Sequence, residues 1–187
     1  MKKKLIFICL FLIIPIKAFA LIEVDITRGN LNPLPLAVSP LSIDENSKKS
    51  FEKILDKENI GSEISIIVEN NLRTSGLFNP LNKDAFLQAP DIANLKPRFE
   101  DWNLIKAQAL ITGKVTYIDE KLRVEFRLWD VLAGKEMMAL AFTTVPNNWR
   151  RVGHIISDKI YERLTGEKGY FDTRIIYVAE EGPKTQR

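Results

Sequence analysis

The sequence predicts an α+β layered protein with a mixed, mostly antiparallel sheet of about five strands covered by two main helices. Three observations carry this. Residues 109–145 form three consecutive strand-like segments separated by tight turns. Residues 62–75 and 149–164 carry apolar side chains at spacings of three and four. Residues 21–27 alternate, with Ile22, Val24 and Ile26 apolar and Glu23, Asp25 and Thr27 polar.

The chain opens on a secretory signal. Lys2, Lys3 and Lys4 form a basic n-region, residues 5–14 are uncharged and apolar, and Ala18-Phe19-Ala20 supplies a small-residue cleavage pattern at Ala18 and Ala20. The apolar run ends at Pro15 and Lys17, short of the roughly 20 residues that a spanning helix needs. Cleavage after Ala20 is therefore expected. It removes four of the 27 basic residues and none of the 24 acidic ones, so the formal charge of +3 belongs to the export signal. A nearly neutral mature chain has no bulk charge with which to hold a polyanion, so nucleic acid is not an expected partner. The only cysteine, Cys9, leaves with the signal, so stability must come from an ordinary hydrophobic core.

In residues 21–27, Ile22, Val24 and Ile26 fall on one face and Glu23, Asp25 and Thr27 on the other, before Gly29-Asn30 breaks the pattern. Asn32-Pro33-Leu34-Pro35 reads as a stiff connector, because proline cannot donate to a ladder. The next strand is expected at residues 36–38. Residues 44–57 are charge-rich, with Phe51, Ile54 and Leu55 at helical spacing. A better amphipathic helix then restarts at Gly61-Ser62, with Ile64, Ile67, Val68 and Leu72 as its buried face, Ser62 as its N-cap and Gly76 as its stop. Residues 77–81 turn back toward the sheet and residues 84–96 read as connection.

A short helix is expected over residues 99–107, around Trp102 and Ile105. Residues 109–118 are β-branched, Asp119-Glu120-Lys121 makes a tight turn, and Leu122, Val124, Phe126 and Leu128 alternate with Arg123, Glu125, Arg127 and Trp129. Ala133-Gly134-Lys135 turns into residues 136–145, completing a three-stranded meander. Asn147 or Asn148 is the expected cap of a last helix whose Trp149, Val152, Ile156, Ile160 and Leu164 form one stripe ending at Gly166. A further apolar strand at residues 174–179 has no downstream segment to pair with, and an unpaired edge invites aggregation. The chain is therefore expected to be cut from something longer.

No P-loop, Gly-rich dinucleotide fingerprint, nucleophile elbow or histidine–cysteine cluster is present in the sequence, so no catalytic residue, cofactor, metal ligand or small-molecule substrate is expected. His154, the one histidine, reads as a packed residue, because a catalytic base needs an oriented partner and a cleft. The pairs Asp44-Glu45, Asp119-Glu120 and Glu180-Glu181 fall at turns or helix starts, where solvation or the helix dipole accounts for them. Trp102, Trp129 and Trp149 read as core or rim packing and not as a base-stacking platform.

Three blocks close to the carboxyl terminus resemble the TolB family. They are Gly153-His154-Ile155-Ile156-Ser157-Asp158, Leu164-Thr165-Gly166-Glu167-Lys168-Gly169 and Thr173-Arg174-Ile175-Ile176-Tyr177-Val178. Leu77-Phe78-Asn79-Pro80-Leu81, Gly113-Lys114-Val115 and Glu23-Val24-Asp25-Ile26 are also similar to it. The charged stretch 44–59 departs from the family in length.

The resemblance implies a signal peptide at residues 1–20 and a TolB-like amino-terminal domain at residues 21–168. Residues 169–187 would then hold the first strand of a truncated β-propeller. It further implies a periplasmic adaptor of the Tol-Pal system, concerned with envelope integrity, cell division and protein import. The implied partner is the carboxyl-terminal domain of a TolA-like protein, held by Leu21, Ile22, Glu23, Val24, Asp25, Ile26, Thr27 and Arg28. Pal is a partner only if a propeller is supplied elsewhere. The alternation of residues 21–27 fits either that role, as a strand added to another protein's sheet edge, or a permanent edge strand of its own domain. Two alternatives stand beside the adaptor: a truncated fragment without function, and a ligand- or nucleic-acid-binding α/β module, for which fold analogy is weak support.

Overall fold

The computed structural model describes residues 32–174. The expected signal peptide, the segment 21–28 and residues 175–179 of the expected last strand lie outside them. The elements in chain order are β1 (Leu34–Val38), β2 (Ser42–Ile43), α1 (Glu45–Leu55), α2 (Ile60–Thr74), β3 (Phe78–Pro80), α3 (Pro90–Leu95), α4 (Phe99–Leu104), β4 (Ala109–Ile118), β5 (Lys121–Asp130), β6 (Lys135–Thr144) and α5 (Trp149–Thr165). Short 3-10 turns at Lys83–Ala85 and Pro146–Asn148 complete the order.

The sheet is six-stranded, in the order β3-β1-β4-β5-β6, with β2 also pairing β4. The pairs β1/β3, β1/β4 and β2/β4 are parallel, whereas β4/β5 and β5/β6 are antiparallel. The β4/β5 hairpin closes through Asp119 and Glu120, both at positive φ (50° and 60°), the backbone that a two-residue loop needs to follow the strand twist. At the other hairpin Gly134 takes a φ of 61° and Asp130 accepts from the Ala133 amide at 2.8 Å.

β1 begins at Leu34, two residues earlier than expected, and Pro35 lies inside it. The Pro35 carbonyl still accepts from the Gln108 amide at 2.9 Å. The donor that proline lacks would point beyond the start of β4, where no strand lies alongside, so the ladder loses nothing. β1 and β2 lie in succession along one flank of β4, separated by a kink at Ser39-Pro40-Leu41. Ser65 Oγ fixes that kink by accepting from the Leu41 amide at 3.0 Å while meeting the Ser39 and Gly61 carbonyls at 3.1 and 3.0 Å.

α1, α2 and α5 cover one face. Phe51 from α1, Ile60, Ile64, Val68 and Leu72 from α2, and Trp149, Val152, Ile156, Ile160 and Leu164 from α5 are all buried against Leu36, Val38, Ile111, Val115, Leu122, Val124, Phe126 and Leu128 of the sheet. α2 and α5 approach closely at Gly153, where an added Cβ would stand 2.9 Å from Ile67 Cγ2. Ile54, expected on the buried stripe of α1, is instead 45% exposed, because α1 turns only Ser47 and Phe51 fully inward.

The capping expectations need correction. α2 starts at Ile60 and not at Ser62; Asn59 holds the cap position without a side-chain bond, since burial of Ile60 and the contact of Gly61 with the 39–41 kink set where the helix begins. Asn148 precedes α5 without capping it, and its side-chain Nδ2 donates to Thr144 Oγ1 at 3.1 Å instead. Both C-terminal stops are as expected, with Gly76 and Gly166 at φ of 74° and 75°.

Residues 84–96 are not mere connection. They contain α3, which with α4 lays a second layer on the opposite sheet face, where Ala93, Trp102 and Ala107 are buried with Ala37, Leu110 and Val131.

Asp44 caps α1: its Oδ1 accepts from the Ser47 amide at 2.9 Å and its Oδ2 from Ser47 Oγ at 2.8 Å. Ser47 Oγ in turn accepts from the Tyr117 amide at 2.9 Å, joining the helix start to β4. The backbone bond from Ser47, then the side-chain bond, hold the Asp44 carboxyl below its ordinary value of 3.8. A depressed carboxylate stabilises the fold above its unfolded pKa and stops doing so as pH falls through the folded value. Asp44→Ala is therefore expected to cost about 1 kcal/mol at neutral pH, in urea melts, and the difference from wild type should shrink below the ordinary carboxylate range. A cost independent of pH would contradict the cap.

Candidate interaction surface

The residues expected to hold a partner, Leu21 to Arg28, and the cleavage residues Ala18 and Ala20, lie outside the described residues. What the fold does fix is where that segment enters. β1 is flanked on both sides, by β3 and β4, so the chain reaches the sheet at the amino end of an inner strand, directly after Pro33. Leu34 is held there by donation of its amide to the Leu77 carbonyl at 2.9 Å.

The two edges of the sheet differ. β3 is three residues long and ends in Pro80, both features that blunt an edge. β6 is ten residues long and mostly exposed or half-buried. Its register places Ala139 opposite Arg127, Leu140 opposite Phe126 and Ala141 opposite Glu125. Directly paired residues share a face, so Met138, Leu140 and Phe142 lie on the helix-covered face and Ala139 and Ala141 on the other. Phe142 stacks on Phe126 at 6.1 Å, whereas Leu140 remains 38% exposed.

On the face away from the long helices, Arg123 pairs with Glu125 at 2.8 Å and Arg127 with Glu136 at 3.3 Å, each side chain about 40% exposed. Arg127 also donates to the Asn94 carbonyl at 3.3 Å, which marks the margin of the second layer. Between these charges the alanines leave a hollow of about 200 Å³ lined by Glu125, Phe126, Arg127, Ala139, Leu140 and Ala141. Sequence reasoning found β6 as a strand but not as the outermost strand among the described residues, because strand order is a property of the whole topology.

Residues 166–172 fold back along α5. Asp158 accepts from the Phe171 and Asp172 amides at 2.7 and 3.1 Å. Arg151 grips Asp172 with Nε and Nη2 at 3.0–3.1 Å, and that bond raises its already high pKa. Tyr161 makes edge contacts with Tyr170 and Phe171, and burial pushes its hydroxyl above the ordinary tyrosine value of 10.0. On α2, burial works against the Glu69 carboxylate, but Arg73 and Lys83 hold its pKa below the usual value.

His154 lies between α5 and α2, where its Nδ1 meets the Asn71 amide at 2.9 Å and the same amide donates to Ser157 Oγ at 2.9 Å. The histidine therefore accepts at Nδ1 and serves the helix contact. The three tryptophans do not share a platform. Trp102 and Trp129 belong to the second layer, while Trp149 lies in the main core with the Arg150 guanidinium 4.5 Å from its ring centroid.

Sheet, helices and second layer together define an α+β module with one short, blunted edge and one long edge along which no strand of the described residues pairs. Residues 22–137 match the family of the TolB amino-terminal domain. The chain is 86% identical over 178 residues to the Tol-Pal system protein TolB of Pelagibacter ubique (strain HTCC1062), an alignment covering 95% of this chain and 40% of that relative's length. The crystal structure of TolB from Acinetobacter baumannii has the same fold, with a TM-score of 0.60 at 22% identity over 81% of this chain and 33% of that one. The chain belongs to the TolB family through its amino-terminal domain.

Proposed function

We propose that this chain is a periplasmic adaptor module of the Tol-Pal system. Its residues 21–28 bind the carboxyl-terminal domain of a TolA-like partner, and through that contact it contributes to outer-membrane integrity, cell division and protein import. The observation that carries the reading is the family match, which begins at residue 22 and so takes in nearly all of the segment.

The physical chemistry of the segment supports the same role. Ile22, Val24 and Ile26 alternate with Glu23, Asp25 and Thr27, which suits strand addition, where main-chain hydrogen bonds give affinity and alternate side chains give specificity. β1, which the chain enters after Pro33, has both flanks taken by β3 and β4. Pal docking is assigned to a propeller and not to these residues.

Deletion of residues 21–27 is expected to weaken binding of a purified TolA-type carboxyl-terminal domain at least about 100-fold, the scale of losing a main-chain ladder and three apolar anchors. Thermal stability should stay within about 1 °C, because α2, α5 and the sheet are untouched. An NMR titration reads the binding and a circular dichroism melt the stability. Binding that survives the deletion would show that another surface is used.

A further inference from the structure

We propose that residues 166–172 form a latch, hinged at Gly166 and caught at Gly169, which opens as one unit while the core stays folded. Its state decides whether the chain beyond residue 174 leaves the domain from a fixed point or from a loose tether. The latch requires nothing of the partner proposed above.

Hinge and catch are glycines used in opposite ways. Gly166 ends α5 at a φ of 75°, and no atom stands within 4 Å of where its Cβ would be, so the chain swings about it unobstructed. At Gly169 a Cβ would be driven into Asp158 Cα, and would stand 2.5 and 2.6 Å from Asp158 Oδ1 and Cβ. Only a residue without a side chain lets the chain lie so close to α5. That closeness brings the Phe171 and Asp172 amides within reach of the Asp158 carboxylate.

The closing contacts are separate from those that hold α5 to the sheet. Arg151 and Asp158 lie about two turns apart on one face of α5, and Tyr161 about one turn further on. Arg151 takes the Asp172 carboxylate, Asp158 the two amides, and Tyr161 the rings of Tyr170 and Phe171. The stripe that anchors α5 is Val152, Ile156, Ile160 and Leu164. Of residues 166–172 only Phe171 packs against the core cluster, and there it is partly buried. Tyr161 also has its own edge contact with Phe78 of β3, at 6.1 Å. Opening therefore leaves the core's contacts in place.

The closed state is finely balanced. Ordering the segment costs backbone freedom at each of its residues. Set against that are two amide bonds to one carboxylate, two ring edges, and an ion pair whose arginine side is 54% exposed, the kind that contributes little. Such a segment belongs to the low end of local opening free energies. Its contacts also depend on one another. Gly169 must lie against α5 for Asp158 to reach both amides, and residue 172 must be held there for Arg151 to grip its carboxylate with two nitrogens.

Native-state hydrogen exchange of the full chain, followed by NMR, tests the latch. The Phe171 and Asp172 amides should be protected together, by roughly 10- to 1,000-fold, far less than the α5 interior and with little dependence on low urea. Gly169→Ala, by steric conflict, and Asp158→Asn, by removing one of two acceptor oxygens, should each speed both amides at least about tenfold. Each should also abolish the Tyr161–Tyr170 ring contact in nuclear Overhauser spectra and make the backbone at Asp172 and Thr173 more mobile than α5. Tm by circular dichroism should stay within about 3 °C of wild type. Amides of Phe171 and Asp172 that exchange only with α5, or a variant that fails to fold, would overturn the proposal, because the segment would then be part of the core. So would amides unprotected in the wild type or unchanged in Gly169→Ala. Asp158→Asn that frees the amides while Tyr170 keeps its contact with Tyr161 would overturn it too, by showing independent contacts in place of one unit.

Discussion

Gly61→Ala is expected to lower stability by about 3 kcal/mol and Tm by roughly 10 °C, although the same change in an ordinary helix gains about 1 kcal/mol. The sign reverses because a Cβ at Gly61 would be driven into the Leu41 carbonyl oxygen, with the Leu41 carbonyl carbon and Cβ close behind. The obstruction is backbone and cannot rotate away. It cannot easily shift either, because the Leu41 amide is bonded to Ser65 Oγ at 3.0 Å and Ser65 is itself bonded to Ser39. The kink at residues 39–41 lets one segment supply both β1 and β2 to β4, so displacing it disturbs two strands together. Because side-chain truncation at Leu41 leaves the carbonyl in place, adding Leu41→Ala should not rescue Gly61→Ala. A rescue, or a neutral single variant, would mean that α2 is free to slide away from the kink.

Much of the fold was legible because burial and periodicity coincide. In β5 the alternation of Leu122, Val124, Phe126 and Leu128 translates directly into four buried side chains, and in α5 the stripe from Trp149 to Leu164 is buried along its whole length. Both elements are long enough for a period to declare itself. Helix starts were less legible. Ser62 and Asn148 have the residue type of an N-cap, but the positions of α2 and α5 are set by tertiary contacts that local preference does not encode.

Proline was over-read as well. Pro35 sits in a strand because its missing donor faces no neighbouring strand, a fact about where β4 begins. The candidate surface was half legible: residues 136–145 read as a strand, yet whether that strand is inner or outer depends on parallel pairings between β1, β3 and β4, for which no hairpin turn gives a local sign.

The second layer left the least trace in the sequence: α4 falls within the helix expected at residues 99–107, but α3, six residues long, is too short to show a period. What organises them is Gln88, only 4% exposed. Its Oε1 accepts from Trp102 Nε1 and from the Arg98 amide, both at 3.0 Å, and its Nε2 donates to the Lys96 carbonyl at 3.1 Å. One side chain thus ties the strand of chain before α3 to both ends of the link into α4.

Gln88→Leu keeps the side chain's bulk but removes all three bonds and strands the Trp102 indole N–H in an apolar cluster. With each lost or orphaned buried group worth about 1–3 kcal/mol, the layer should open at a cost of about 3 kcal/mol. The loss should be local. Hydrogen exchange is expected to lose protection across residues 88–105 while α2 and α5 keep theirs, and Trp102 emission should shift to the red as Leu110 and Val131 meet water. Arg127, whose guanidinium bonds the Asn94 carbonyl of α3, should become more mobile with the layer. Uniform loss of protection across the domain would show instead that the two sheet faces unfold as one unit.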